Sequence, residues 1–174
     1  MASLILAKTT ASKILFAANF AEHGSQGMLY ANAAIEFAAL GQLGLDTRYH
    51  LFALAIELAF KSLALRVGAT PDECRTANHK ISKMIGLIEN HGLKIPDEIK
   101  QRLNNDEWFK SIIIDARYPQ WVTGPIVHSN YPEMVAQILE ISCDSPLSFE
   151  GGSASAEIEI VKQKATKGLM SLPS

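Results

Sequence analysis

The strongest constraint on this protein is the run from Leu51 to Leu65, LFALAIELAFKSLAL, in which 12 of 15 residues are apolar. A helix this apolar has to be covered by neighbours nearly all round. Glu57, Lys61 and Ser62 interrupt the run, and it falls short of the roughly 20 apolar residues that cross a bilayer. It therefore reads as the buried central helix of a folded domain, with no membrane involvement. Asp46 or Thr47 caps its start, and Gly68 stands where a left-handed C-terminal residue is wanted, so the helix is predicted over 47–67. Its polar residues His50, Glu57 and Lys61 are spaced seven and four apart, which puts them on one stripe. A charge on such a helix has to be paired. Glu57 and Lys61 thus read as an ion pair or small polar network that fixes the helix register, or as the polar floor of a ligand pocket.

The segments around this helix repeat the helical pattern. Residues 9–22 and 28–40 are Ala-rich helices, with Gly24 and Gly27 bracketing a turn between them and Gly41 and Gly44 ending the second. Pro71, Asp72, Glu73 and Cys74 read as a loop. Asn78 is an N-cap candidate for a helix over 79–91 with Ile81, Met84, Ile85 and Ile88 as its apolar face. Gly92 ends it, and Leu93 packs back on the last turn. Pro96 opens a short helix through Asn104, with Ile95, Ile99 and Leu103 inward. A further helix is predicted from Asp106 to Arg117, a loop over 118–130, and a last helix from Pro132 to about Cys143. Residues 1–143 form the expected helical body. Residues 144–174 are expected to be a linker and C-terminal tail, with the Glu/Ile alternation of 157–162 as a short strand or an arm packed on a partner. The fold class that follows is all-α, a bundle of about five or six helices around one core.

Charge and cysteine content narrow the function classes. Lys and Arg number 16 and Asp and Glu 18, so no global basic field draws in nucleic acid. The distribution is uneven: residues 118–161 carry no Lys or Arg but six acidic side chains, while 71–117 carry eight basic and eight acidic. Any polyanion contact is therefore expected from the first two-thirds of the sequence or from Lys162, Lys164 and Lys167. Two cysteines, Cys74 and Cys143, with no CxxC spacing, read as free thiols in a reducing cytoplasm. The N-terminal MASLILAK lacks the charged-then-apolar order of a signal peptide. No GxGxxG, Walker A, GxSxG or HExxH motif is present, so neither a cofactor nor a metal is expected.

The residues that carry chemistry are histidines and arginines. Histidine titrates near neutral pH, and arginine offers a fork for phosphate oxygens. His79, Arg75 and Arg117 are therefore the candidates for acid–base or phosphate work. His79 alternatively bonds to a neighbouring carboxylate, with Glu57 the candidate partner. Trp108, Phe109, Tyr118 and Trp121 are core and loop packing, or, beside Lys110 and Arg117, a surface for stacking bases.

The run YHLFALAIELAFKSLALRVG (49–68), followed by NHKISKM (78–84) and DARYP (115–119), resembles the HEPN family (higher eukaryotes and prokaryotes nucleotide-binding). One branch of that family has an apolar helix with an E-L-x-x-K core and then a His opening the next helix. Those residues are Glu57, Leu58, Lys61 and His79 in this protein, and the resemblance covers roughly residues 10–120. It implies an up-and-down helical bundle, usually a homodimer. Many members are metal-independent endoribonucleases, often toxins or defence factors, with an R-x4-6-H motif. Others bind nucleotides or pair with a nucleotidyltransferase. In this sequence Arg75 and His79 are separated by three residues and Arg117 and His128 by ten, so neither pair has the ribonuclease spacing. The expectation is a non-catalytic nucleotide- or RNA-binding or protein-interaction module, in a toxin–antitoxin or defence setting, with Glu57, Lys61, His79, Arg117 and Tyr118 at the ligand. The alternatives are a ribonuclease whose Arg/His pair forms by tertiary or dimer contact, and a structural partner of a nucleotidyltransferase.

Overall fold

The apolar run does become the centre of the molecule. In a computed structural model, which describes residues 23–44, 48–105, 130–143 and 147–171, seven helices and no strand occur among the described residues. They are α1 (His23–Gly41), α2 (Arg48–Arg66), α3 (Pro71–Ala77), α4 (Ile81–Asn90), α5 (Asp97–Asn105), α6 (Tyr131–Leu139) and α7 (Ala154–Met170). The all-α class is what the hydrophobic periodicity demands.

Helix α2 has 11 buried residues, including Ile56, Phe60 and Leu63. Its main partner is α1, and the sequence shows why the two approach so closely. Alanines fill the contact: Ala31, Ala34 and Ala38 on α1 and Ala55, Ala59 and Ala64 on α2 are all fully enclosed. The pair is antiparallel, since Gly27 lies against Ser62 and Arg66 while Gly41 lies against Phe52. At Gly27 the Ser62 Oγ donates to the helix carbonyl at 2.7 Å. At Gly41 a Cβ atom would stand 2.5 Å from the Phe52 ring. Gly24 and Gly27 therefore lie inside α1, where the glycine spacing predicts a turn. Gly27 and Gly41 serve close approach, and that use does not interrupt the helix.

The other helices close over this pair. Helix α6 packs on α2 and α1, with the Tyr131 and Phe52 rings 5.2 Å apart. Helix α4 lays Ile81, Met84 and Ile88 into the core and meets α2 and α3. Two chain reversals are as predicted. Gly68 and Gly92 have φ of 99° and 92°, and Ala69 and Leu93 donate back to Ala64 and Ile88.

Four further expectations need correction. Residues 71–77 are helix, not loop: Thr70 and Glu73 form a reciprocal capping box with Pro71 in the first turn. Asn78 does not cap α4; it ends α3, and Lys80 takes the N-cap position. Residues 157–162 belong to α7, whose start is capped by Ser153, and the strand expected there does not form. Ala154 and Ile158 enter the same core cluster as α1, α2 and α6, so this late segment is part of the body. Helix α6 also ends at Leu139, short of the predicted Cys143. The predicted helices over 9–22 and 106–117, and the loop residues 118–129, lie outside the described residues.

Candidate functional site

The polar stripe of α2 is where the sequence asks for a partner. Glu57 is 7% exposed, far below what a carboxylate tolerates unpaired. Two groups satisfy it. Lys61, one turn on, donates from Nζ to Oε1 at 2.6 Å. The His79 Nδ1 lies 3.0 Å from Oε1 and 2.9 Å from Oε2. Since the carboxylate is acceptor-only, this contact makes Nδ1 the protonated nitrogen.

The route that brings His79 back to α2 is set locally. The capping box starts α3, and the helix ends after Ala77. The Lys80 N–H then donates to the Ala77 carbonyl at 3.3 Å, closing a tight turn with Asn78 and His79 at its centre. Asn78 has φ 55° and ψ −140°, the geometry of the first central residue of a type II′ turn and one that favours glycine. Holding a side-chain-bearing residue there costs about 1–3 kcal/mol. The return is that His79 is aimed at the buried carboxylate.

The arrangement has a clear chemical consequence. With Nδ1–H committed to Glu57, the neutral ring presents Nε2 as an acceptor, and the protonated ring presents it as a donor. The His79 side chain is 45% exposed against 9% for Glu57 and 18% for Lys61. A buried carboxylate thus orients a half-exposed imidazole, the relationship that fixes the histidine of a hydrolase triad.

The stretch of sequence that carries His79 is basic. From Arg75 to Ile88 there is no Asp or Glu, while Arg75, Lys80 and Lys83 are all exposed. Lys80 gives α4 no side-chain cap, so the positive end of that helix is left uncovered. Lys80 and Lys83 were not singled out by motif reasoning, although the acid-free stretch is the signal that finds them.

Of the candidates, Glu57, Lys61 and His79 come together. Arg75 does not join them: its guanidinium lies 2.8 Å from Asp72 and is largely in solvent. His50 shares the α2 stripe but has a buried Nδ1 without a hydrogen-bond partner. Arg117 and Tyr118 lie outside the described residues, as do His128, Trp108, Phe109 and Trp121.

No family model, no curated protein and no solved structure matches this sequence. The site is therefore read from its own chemistry. Among the described residues no cluster of three or more His, Cys, Asp or Glu side chains is placed to hold a metal ion, and no helix is long and apolar enough to cross a membrane.

A concavity of about 260 Å³ lies where α2, α6 and the start of α7 meet, lined by Arg66, Ser142, Cys143, Phe149 and Ser153. Arg66 donates from Nη1 to the Leu139 carbonyl at 2.9 Å. Burial lowers its pKa, partly offset by the Cys143 thiol beside it. The Glu140 carboxylate already accepts from the first N–H of α7. This concavity joins helix ends and offers no oriented acid or base of the kind found at His79.

Proposed function

We propose that the protein is a nucleotide- or RNA-binding helical module of the HEPN type, working in the cytoplasm as a homodimer, with the ligand's phosphate received at His79 and the start of α4. One observation carries this reading. The half-exposed His79 ring is anchored through Nδ1 on the buried Glu57, and it is followed in sequence by Lys80, the start of α4 without a side-chain cap, and Lys83. Helix N-termini and lysines together form a favourable setting for phosphate oxygens. The residues behind the HEPN resemblance, Glu57, Lys61 and His79, are also the ones that meet.

The experiment is fluorescence anisotropy with a short single-stranded RNA and with nucleoside mono- and triphosphates, paired with thermal shift. Binding that weakens with salt and falls about tenfold or more in His79→Ala and Lys80→Ala supports the reading. No binding by any of these probes, or binding indifferent to both substitutions, overturns it. Light scattering gives the dimer its own check.

The oriented imidazole supports a second reading, a metal-independent ribonuclease in which His79 acts as the base or acid at a ribose hydroxyl. Cleavage of RNA in EDTA that is lost in His79→Ala favours it. Intact RNA under conditions of saturated binding favours the non-catalytic module.

A further inference from the structure

We propose that His79 is a phosphoryl-acceptor site, modified at Nε2 by a donor that carries its phosphorus on nitrogen. The inference rests on the oriented imidazole and holds whether or not RNA or a nucleotide binds beside it. A ring nitrogen attacks phosphorus through an open lone pair, and in His79 the two nitrogens are divided. Nδ1 lies 3.0 and 2.9 Å from the Glu57 carboxylate oxygens and so carries the proton. Nε2 has no partner among the described residues and is not enclosed, and the side chain is 45% exposed. The neutral ring therefore offers its lone pair on the accessible nitrogen. Two other histidines lack this arrangement. His50 has its Nδ1 buried without a partner, and His91 turns Nε2 itself toward a carboxylate, Glu73, at 3.5 Å.

The step is a substitution at phosphorus with no change of oxidation state. The Nε2 lone pair forms the new N–P bond, the N–P bond of the donor breaks, and its electron pair leaves with the donor's amine. One energy-rich N–P bond replaces another, which is why a donor of this class fits. The attack leaves a positive charge on the ring, which keeps its proton on Nδ1. Glu57, 7% exposed, is the anion placed to hold that proton and meet that charge. Lys61 occupies Oε1 of the same carboxylate, and Oε2 is left to His79. The residues that follow suit a phosphoryl dianion. Lys80 and Lys83 are exposed and make no ion pair among the described residues. The N–H groups of Ile81 and Ser82, in the first turn of α4, find no acceptor among them either.

The test is incubation of the full-length protein with phosphoramidate at about pH 8, where an imidazole is neutral. Peptide mass spectrometry places the phosphoryl group, and ³¹P spectra assign the ring nitrogen that carries it. We expect Nε2-phosphohistidine to form at His79 about tenfold faster than at His91 in the same sample, and Glu57→Gln to lower the His79 rate about tenfold while His91 holds. The proposal is overturned if His79 labels no faster than His91, if the phosphorus sits on Nδ1, or if Glu57→Gln labels like the native protein. Should Glu57→Gln not fold, the native protein in urea supplies the comparison: the advantage of His79 is expected to vanish on unfolding, and its persistence overturns the proposal. RNA and nucleotide binding is scored separately on the unphosphorylated protein, so the failure of either reading is distinguishable from the failure of the other.

Discussion

The His79 Nδ1 bridges both carboxylate oxygens of Glu57, a residue 22 positions earlier in the sequence, at 3.0 and 2.9 Å. This contact ties the turn after α3 to the middle of the central helix, and most of what can be tested follows from it.

Removing Glu57 leaves Lys61 and His79 facing each other with no anion between them. Breaking a fully buried pair costs about 3–5 kcal/mol. Both partners have some access to water here, so Glu57→Ala is expected to cost about 2 kcal/mol, a fall in Tm of roughly 4–8 °C. Circular dichroism melting checks it. An unchanged Tm would mean that the carboxylate is not part of the fold and belongs to the site alone.

The α1–α2 contact makes a second prediction. Gly41→Ala gains helix propensity of about 1 kcal/mol but drives a methyl group into the Phe52 ring, a strain of about 1–3 kcal/mol. Net destabilisation is expected, together with a change in the near-ultraviolet signal of the Phe52–Tyr131 pair. In the same contact, Ser62→Ala removes the buried donor to the Gly27 carbonyl and is expected to cost about 1–2 kcal/mol in chemical denaturation.

Stability should depend on pH in two directions. Thr70, through its backbone N–H and then its hydroxyl, holds the Glu73 carboxyl below its ordinary range, and Lys100 does the same for Glu89 and Asp97. Groups whose folded pKa is depressed contribute stability that is present above their unfolded pKa and lost as pH falls through the folded one. Tm should therefore drop below about pH 4–5, and Glu89→Gln should flatten that drop.

Glu36 runs the other way. Burial raises its pKa, and its Oε2 is buried without a hydrogen-bond partner. A raised carboxyl contributes stability at low pH that is lost as pH rises through the folded value. Glu36→Gln should raise Tm at pH 7 by about 2 °C, a modest gain because the side chain is only partly enclosed, and should leave Tm unchanged near pH 4.

Much of this was legible in the sequence, for physical reasons. The apolar run left α2 no option but the core, and its paired polar residues had to find partners, which made Glu57 the natural seat for His79. The glycines at 68 and 92 read correctly because a left-handed residue after an apolar periodic segment has few other uses. Gly27 misled because glycine serves both turns and close helix approach, and only the position of Ser62 and Arg66 decides between them. Helix α3 was readable in principle: Thr70-Pro71-Asp72-Glu73 carries a capping-box signature that turn-forming residues disguise. In α7 the Glu/Ile alternation at 157–160 mimics a strand, whereas Ile158, Val161 and Ala165, spaced three and four apart, give the helix. The exposed Asn78 turn that aims His79 had no signal of its own, since it depends on contacts that form only when α4 meets α2.

The most direct test of the central claim is a long-range ¹H–¹⁵N spectrum of the His79 ring, recorded at neutral pH through a titration with a short single-stranded RNA. The account predicts an Nδ1–H tautomer in the free protein and an Nε2 resonance that moves as RNA is added, with both features lost in Glu57→Ala. An Nε2–H tautomer in the free protein, or an Nε2 resonance that stays still while RNA binds, would contradict it.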